Sequence, residues 1–364
     1  MSKLRLSKSL SERISDFKES DLYQVKSTQA KSEYWKYFSE TIESKLEKES
    51  INIEGKSGVY IPNQSKYSIE NILSYLKLLL SPTFVLRRIL EKIGERIHGP
   101  FLMSYENSYN CVMKSEPISD PDLSRFRINH HLMINFPGIL GKVSELKKHY
   151  KKWSGFELQG NVIQQYYFQN IIRTKLNQTS LSTVLEIGPG NGNLASILYQ
   201  EFPGSRFILI DLPETSIAAI SFIGNVYPNS KILLPQECSK VALKEGDFDF
   251  AFLTVDQLSL LSENSIDLAI NVHSFQEMTH SQIATYFDLI QNTVKSDGYF
   301  FTANRVEKIP TSGNAYTQEQ LDPPNLFSEY PWRKENLTLV YEISRLHRLT
   351  QLDDIFIKLE QIKK

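Results

Sequence analysis

The segment that most constrains the fold of this chain is a short apolar run that leads into closely spaced glycines. Residues 184–194 read Val-Leu-Glu-Ile-Gly-Pro-Gly-Asn-Gly-Asn-Leu, the pattern of a buried strand, a tight loop and the start of a helix. Glycine lets the backbone approach a ligand without interference from a Cβ, and the free amides at the start of the helix point toward that ligand. The segment therefore predicts a loop that binds a nucleoside cofactor.

The spacing of the glycines indicates which kind of cofactor to expect. A dinucleotide fingerprint requires Gly-x-Gly-x-x-Gly, whereas Asn193 stands at the position of its third glycine and Gly192 comes one residue earlier. Glu186 places an anion before the loop, which suits the ammonium group of a methionine moiety better than a pyrophosphate. The next predicted strand ends in Asp211, 19 residues after Gly192, where a carboxylate is placed to accept both ribose hydroxyls.

Beyond Leu176, short apolar or β-branched runs alternate with helical stretches, as in a parallel sheet with crossover helices. Strands are predicted at Thr183–Ile187, Arg206–Ile210, Lys231–Leu234, Phe248–Leu253, Ile266–Val272 and Tyr299–Ala303. Helices are predicted at Leu194–Glu201, Ile217–Val226 and Ser281–Val294. Residues 151–364 are therefore expected to form a doubly wound α/β domain, in which either Lys231–Leu234 or Phe248–Leu253 is the third strand.

Residues 1–150 are predicted to form a mainly helical region that covers the substrate or serves a homodimer. Residues 1–50 carry 19 charges and no Gly or Pro, which is typical of a solvated helical arm. Apolar residues recur at helical spacing between Ile69 and Ile97, with a break at Pro82, and this pattern predicts a helical hairpin. Residues 139–150 are predicted to form another amphipathic helix.

The segment 271–278, Asn-Val-His-Ser-Phe-Gln-Glu-Met, follows a predicted strand and so opens onto the carboxyl edge of the sheet, where ligands gather. Histidine titrates near the working pH, so His273 is the first choice for a base that removes a hydroxyl proton, with Glu277 orienting it or binding the acceptor. Two alternatives stay open: His273 packs beside the cofactor, and Glu277 caps the next helix.

Further polar and aromatic residues follow the last predicted strands. Asn304 and Arg305 follow Tyr299–Ala303, and Tyr330 and Trp332 follow a loop of residues 309–327. Flat amphipathic rings and a guanidinium with five donors suit a sugar or sugar phosphate. Core packing is the alternative for Trp332, and an ion pair is the alternative for Arg305. The residues predicted to contact the acceptor are His280, Asn304, Arg305, Tyr330 and Trp332.

Other residues are assigned from their neighbours in the sequence. Asp256 is expected to read an adenine amino group if Phe248–Leu253 is the third strand, and a helix N-cap is the alternative. A helix that leads into the first strand is predicted to carry Gln159, Gln164, Tyr166 and Tyr167. The residues predicted to hold the cofactor are Glu186, Gly188, Gly190, Gly192, Asp211, Leu212, Asp256 and Asn271. Asp322-Pro323-Pro324 is interpreted as a stiff loop.

The run Glu-x-Gly-x-Gly-x-Gly with Asp211 resembles the first motifs of class I S-adenosylmethionine methyltransferases. Together with segments 211–214, 271–278, 304–308 and 330–332, it resembles the sugar O-methyltransferases of bacterial surface-polysaccharide clusters. The resemblance covers roughly residues 155–350. It implies a Rossmann-like fold, S-adenosylmethionine as donor, S-adenosylhomocysteine as product and a sugar hydroxyl as acceptor. The spacing of His273 and Glu277 also resembles the His-x-x-x-acid arrangement of plant small-molecule O-methyltransferases.

Composition disfavours several other classes. The chain has 41 Lys and Arg against 42 Asp and Glu, so it has no overall field that would attract nucleic acid, and an RNA methyltransferase is not expected. Cys111 and Cys238 are the only cysteines, too few for a disulfide framework. No zinc site is expected at His130 and His131, and metal dependence stays open.

The remaining expectations concern location and alternative functions. The polar N-terminal sequence argues against a signal peptide, and the apolar runs fall short of the ~18 residues of a membrane span. A cytoplasmic protein with a glycan-type small-molecule substrate is therefore expected. One alternative is methylation of an aromatic or polyketide hydroxyl. Another, from a different class, is a noncatalytic protein that binds S-adenosylmethionine.

Overall fold

An eight-stranded sheet forms the centre of the structure, which is a computed structural model. The residues described are 3–24, 31–39, 42–47, 50–54, 160–176, 180–310, 320–344 and 355–364. The predicted hairpin at 69–97, the predicted helix at 139–150, and Cys111, His130, His131 and Gln159 lie outside these ranges, as does the predicted domain boundary near residue 150.

The elements of the described residues are numbered here in chain order. The strands are β1 (Lys3–Arg5), β2 (Glu43–Glu47), β3 (Ser50–Glu54), β4 (Thr183–Ile187), β5 (Arg206–Asp211), β6 (Ile232–Leu233), β7 (Phe250–Thr254), β8 (Ile266–Val272), β9 (Val294–Arg305), β10 (Glu307–Lys308), β11 (Asn325–Leu326), β12 (Leu337–Ser344) and β13 (Ile355–Gln361). The α-helices are α1 (Lys8–Glu19), α2 (Asp21–Gln24), α3 (Glu33–Ser39), α4 (Gly160–Lys175), α5 (Asn193–Glu201), α6 (Pro213–Val226), α7 (Lys240–Glu245) and α8 (His280–Thr293). Short 3-10 helices span Pro235–Glu237, Val255–Leu260, Phe275–Glu277 and Phe327–Glu329.

The strand order of the large sheet is β12-β13-β9-β8-β4-β5-β7-β6. Strands β4 to β9 pair in parallel, and β13 runs antiparallel to both β9 and β12. The chain winds outward from β4 in both directions, because β5 lies on one side of it and β8 on the other. This reversal is a topological switch point, and ligands of open α/β sheets bind in the crevice at the carboxyl ends of such strands.

The two faces of the sheet are covered by different helices because side chains alternate along each strand. Val184 and Leu268 belong to one apolar cluster, together with residues of α1, α4, α5 and α6. Leu185 and Ile210 belong to a second cluster, together with residues of α8. The predicted Rossmann-like, doubly wound α/β fold is confirmed.

The predicted strands and helices agree with the structure in the parallel part of the large sheet, from β4 to β9. Strands β4 and β8 have the predicted bounds, and β7 rather than β6 pairs with β5. The third strand is therefore Phe250–Thr254, with β6 at the edge. The antiparallel pair β12 and β13 and the short helix α7 were not predicted.

The described N-terminal residues include strands as well as helices. Strands β1, β2 and β3 form an antiparallel sheet in the order β1-β3-β2. The prediction of a solvated arm is wrong for α1, because its side chains Leu10, Ile14 and Phe17 are buried in the same cluster as the large sheet. Arg13 donates from Nε to Glu237 at 2.7 Å and so joins α1 to the segment after β6.

No helix among the described residues is both long and apolar enough to cross a membrane.

Candidate functional site

The glycine loop lies at the switch point, between the end of β4 and the start of α5. Gly188, Gly190 and Gly192 have φ values of +68°, +58° and +77°, a left-handed conformation that side chains disfavour. A Cβ on Gly188 would overlap the side chain of Ser274, whereas nothing lies within 4 Å of one on Gly190. Gly192 has another role, because its Cβ position is 3.0 Å from Ile223 of α6. The absence of a Cβ at Gly192 therefore lets the start of α5 pack closely against α6.

Asp211 at the end of β5 binds the glycine loop directly. Its carboxylate accepts hydrogen bonds from the amides of Gly190, at 3.2 Å, and Leu212, at 2.8 Å. Burial raises the pKa of Asp211 to about 6, against the lowering effect of these bonds and of the Thr215 hydroxyl. The loop and the carboxylate predicted to hold a ribose are therefore held in one fixed arrangement.

Glu186 is a buried carboxyl beneath the loop, with 3% of its surface exposed. One of its oxygens has no hydrogen-bond partner among the described residues, while the amide of Ala195 in α5 donates to the carboxyl. Burial, and secondarily the charge of Asp211, raises the pKa of Glu186 to about 8. A buried carboxyl with an unused acceptor fits a cationic ligand group, because a nearby positive charge favours the ionised form.

A cavity of about 280 Å³ opens beside the loop at the carboxyl edge of the sheet. Six of the residues predicted to hold cofactor or to act in catalysis line it: Gly188, Gly190, Asp211, Leu212, His273 and Glu277. Gln164 and Gln165 of α4 and Tyr286 of α8 line it as well. The structure therefore brings the two predicted motifs, one after β4 and one after β8, to a single pocket.

The side chain of His273 lines this cavity, and the backbone of His273 is strained. Its φ is +59°, a region that few residues other than glycine occupy. Its amide donates to the carbonyl of Ala303 at 2.8 Å, and its Nε2 lies 3.3 Å from Oε1 of Gln164. The ring also lies near Phe168, with centroids 6.2 Å apart. These contacts fix the imidazole against α4.

Glu277 faces the cavity from the short helix after β8. Burial raises the pKa of its carboxyl to about 7, although the charges of Lys308 and Arg305 and a hydrogen bond with Tyr34 lower it. The Ser32 hydroxyl donates to the backbone carbonyl of Glu277 at 2.7 Å. A carboxyl that titrates near neutral pH is suited to accept a proton from a bound substrate.

The N-terminal segment 31–39 forms part of the cavity wall, which the sequence did not indicate. Ser32 and Trp35 line the cavity. The segment is anchored by a buried ion pair between Lys31 and Glu214 at the start of α6. Its helix α3 is anchored by Asp322, whose carboxylate accepts from the amide of Tyr34 at 2.8 Å. The interpretation of Asp322 as part of a stiff loop therefore missed its contact with α3. No local pattern identifies Ser32 or Trp35, because their partners lie far away in the chain.

Asn271 and Asn304 are fully buried beside the cavity rather than exposed to it. The Asn271 amide donates to the carbonyl of Ile187 at 3.0 Å, and Asn304 donates to Asn271 Oδ1 at 2.9 Å. The amide of Gln276 donates to Asn304 Oδ1 at 3.3 Å. These side chains hold together the carboxyl ends of β4, β8 and β9. Neither side chain lines the cavity among the described residues, and the roles predicted for Asn271 in cofactor binding and for Asn304 in acceptor binding stay predictions.

Tyr330 lies in the second apolar cluster and Trp332 packs against it, and neither is among the described residues that line the cavity. The indole N–H of Trp332 donates to the carbonyl of Phe327 at 3.0 Å, and its ring packs edge-on against Phe287. Lys358 places its ammonium 3.8 Å from the centre of the Trp332 ring. The Tyr330 ring is buried and the Trp332 ring is half-buried, so the acceptor contacts predicted for them are not seen at this cavity and stay predictions.

The other predicted residues lie around the cavity rim or beyond it. Asp256 and His280 are exposed, and neither is among the described residues that line the cavity. Arg305 is half-buried, and its charge acts on Glu277. Among the described residues, no group of three or more His, Cys, Asp or Glu side chains is arranged to hold a metal ion.

The strand order and the glycine loop at its switch point define a Rossmann-like, doubly wound α/β fold.

Neither a family model nor a curated protein matches the chain. Among solved structures, the chain is similar to the PH0226 protein from Pyrococcus horikoshii OT3, with a TM-score of 0.38, 10% identity, and coverage of 57% of this chain and 93% of that one. It is also similar to the N-methyltransferase NodS from Bradyrhizobium japonicum WM9 in complex with S-adenosyl-L-homocysteine, with a TM-score of 0.35, 12% identity, and coverage of 56% and 88%. Similarities at these levels do not indicate a substrate.

Proposed function

We propose that this chain is an S-adenosylmethionine-dependent O-methyltransferase. The observation that carries the proposal is the pairing of two buried carboxyls, Glu186 and Asp211, with a glycine loop that opens onto the same cavity as Glu277. In this proposal Asp211, which lines the cavity, accepts the ribose hydroxyls, and the unpaired oxygen of the buried Glu186 stabilises the cationic amino-acid portion. Gly188 and Gly190 let the backbone approach the nucleoside.

When bound, S-adenosylmethionine supplies an activated methyl group: the bond from sulfur to methyl carbon breaks as a bond to the acceptor oxygen forms, leaving S-adenosylhomocysteine. The chain itself has to align the acceptor and receive its hydroxyl proton.

Glu277 receives this proton, because its carboxyl lines the cavity and its pKa of about 7 lies close to neutral pH. His273 holds a neighbouring position against Gln164 and orients the bound partners. This assignment exchanges the roles that the sequence suggested for the two residues. The polar side chains of Ser32, Gln164 and Gln165, which line the cavity together with this carboxyl base, favour a sugar hydroxyl as the acceptor.

Calorimetry with S-adenosylhomocysteine tests the donor site. We expect saturable binding to the wild-type protein and much weaker binding to Asp211→Asn, with Asp16→Asn, at an exposed position of α1, as the control. Incubation with methyl-labelled donor then tests catalysis, using nucleotide sugars and catechol as alternative acceptors. Failure to bind S-adenosylhomocysteine contradicts the proposal. Binding without methylation of any acceptor favours a noncatalytic binding protein.

A further inference from the structure

The aromatic side chains that the sequence offered for an acceptor do not line the cavity, yet one aromatic ring from a distant segment does. Tyr330 is buried in the second apolar cluster, and Trp332 packs against that cluster. Trp35, from the N-terminal segment, lines the cavity together with Glu277. We propose that Trp35 is the residue that selects the acceptor, by presenting its indole to the face of a sugar ring. This inference rests on the proposed methyltransferase function.

The position of Trp35 relative to Glu277 supports this role. Ser32 and Trp35 are three residues apart, so they lie on the same face at the start of α3. The Ser32 hydroxyl donates to the carbonyl of Glu277 at 2.7 Å and accepts from the amide of Trp35 at 3.2 Å. One shared hydroxyl therefore joins the backbone of Trp35 to the backbone of Glu277, the residue proposed to receive the acceptor proton.

The segment that carries Trp35 is fixed in place rather than loosely apposed. Three contacts anchor it to three different parts of the molecule: Lys31 to Glu214, Ser32 to Glu277, and the amide of Tyr34 to Asp322. An aromatic surface held in position before binding loses little conformational entropy when the ligand arrives. This placement suits a residue that selects between acceptors.

The chemistry of the indole indicates a carbohydrate. Trp35 is half-buried, so part of its ring remains accessible. Its backbone amide donates a hydrogen bond to the Ser32 hydroxyl, and its ring makes an edge contact with that of Tyr34, at 5.7 Å between ring centroids. Within the described residues its indole N–H donates no hydrogen bond. A flat apolar face beside an unused donor matches a sugar, which presents C–H groups on its faces and hydroxyl acceptors at its edge.

The test compares Trp35→Ala and Trp35→Phe with a control, Tyr37→Ala, which removes an aromatic ring from the same helix at a position outside the cavity lining. Each variant is measured for S-adenosylhomocysteine affinity by calorimetry and for methyl transfer from labelled donor. The acceptors are UDP-glucose, GDP-mannose, a fractionated bacterial glycan extract and catechol. Thermal unfolding shows whether each variant is folded.

We expect Trp35→Ala to raise the KM for the methylated sugar about tenfold or more, with kcat within about threefold and donor affinity unchanged. Trp35→Phe keeps a ring and loses the N–H, so its KM should rise by a smaller factor. Tyr37→Ala should match the wild type.

Four outcomes overturn parts of this scheme in distinguishable ways. An unchanged KM in Trp35→Ala removes Trp35 from acceptor selection and leaves the proposed function intact. Loss of S-adenosylhomocysteine binding in Trp35→Ala, in a folded protein, assigns the residue to the donor instead. Methylation of catechol alone overturns the sugar assignment. Absence of donor binding in the wild type overturns the proposed function itself.

Discussion

Three carboxyl groups near the glycine loop have raised pKa values, and their environments explain the differences among them. Glu186 has the highest value, about 8, because it is buried and one oxygen lacks a partner. Asp211 has a value of about 6, since two amides and a hydroxyl donate to its carboxylate. Glu277 lies between them at about 7, because nearby positive charges offset its burial. The three carboxyl groups therefore differ in burial, hydrogen bonding and nearby charge, and these differences match the different roles proposed for them.

The role proposed for Glu277, to receive the proton of the acceptor hydroxyl, predicts a pH dependence of turnover. A carboxyl accepts a proton only when ionised, so kcat should rise with pH through about 7 and level off above it. Glu277→Gln should lower kcat by about 10²–10⁴-fold and abolish this step, while S-adenosylhomocysteine affinity changes little. Glu307→Gln, an exposed neighbour, serves as the control. A wild-type pH step that survives in Glu277→Gln would assign the base to another residue.

The raised pKa of Glu186 predicts that stability falls as pH rises. Between its ordinary value of 4.5 and about 8, the folded protein binds more protons at this site than the unfolded chain does. The stabilisation is therefore complete below about 4.5 and is lost as pH rises through about 8. Thermal unfolding of Glu186→Gln should show a smaller drop in Tm between acidic and alkaline pH than the wild type. Exposed Glu335→Gln should keep the wild-type slope, and equal slopes in all three proteins would contradict the prediction.

Two glycines of the loop should differ in their tolerance of a methyl group. Gly188→Ala and Gly190→Ala both place alanine at a positive φ, which costs about 1–2 kcal/mol. Only the Cβ at position 188 overlaps Ser274. We therefore expect Gly188→Ala to lower the free energy of unfolding in urea by clearly more than Gly190→Ala does. An equal loss in the two variants would show that strain alone limits the loop.

At the scale of elements, α3 depends on side chains from other parts of the chain. It has seven residues, too few for a stable isolated helix. The carboxylate of Asp322 supplies a hydrogen-bond acceptor for the amide of Tyr34 in its first turn. The position of this helix over the cavity is therefore a tertiary property.

Removing that acceptor should loosen α3. Asp322→Ala leaves the Tyr34 amide without its partner, and we expect a loss of about 1 kcal/mol in stability. Hydrogen exchange measured by mass spectrometry should become faster in residues 31–39 and remain unchanged in β4 and β8. Glu33→Ala, an exposed change in the same helix, should leave exchange near that of the wild type. Unchanged exchange in Asp322→Ala would mean that the other anchors suffice.

At the scale of the whole molecule, the N-terminal helix α1 and the large sheet share one core. Leu10 is buried against Gly224 of α6, where a Cβ would overlap it. Leu10→Ala should therefore destabilise the domain by about 2–5 kcal/mol, in a single unfolding transition followed by circular dichroism. Leu337→Ala, at a residue that is 50% exposed, should have an effect within about 0.5 kcal/mol. An early separate transition in Leu10→Ala would indicate that α1 unfolds independently.

The sequence alone predicted those elements whose signals are local. The loop of residues 184–194 combines an apolar run with alternating glycines, and both the strand β4 and the following helix α5 lie where that pattern placed them. The pair β12 and β13 has no comparable signal, because β12 is largely exposed and β13 pairs with β9, which lies much earlier in the chain. Aromatic residues were ambiguous for a related reason: Trp332 and Trp35 have the same chemistry, and only their neighbours distinguish packing from exposure to a cavity.

The sequence by itself therefore determined the doubly wound sheet, the glycine loop and the position of Asp211 beside it, because each depends on residues close together in the chain. The tertiary structure alone decided that Asn271 and Asn304 join strand ends, that Trp332 packs against the second apolar cluster, and that Ser32 and Trp35 complete the cavity. Contacts such as Ser32 to Glu277 span 245 positions. No local sequence pattern encodes a contact between residues so far apart in the chain, because the contact forms only when the whole chain folds around a common core.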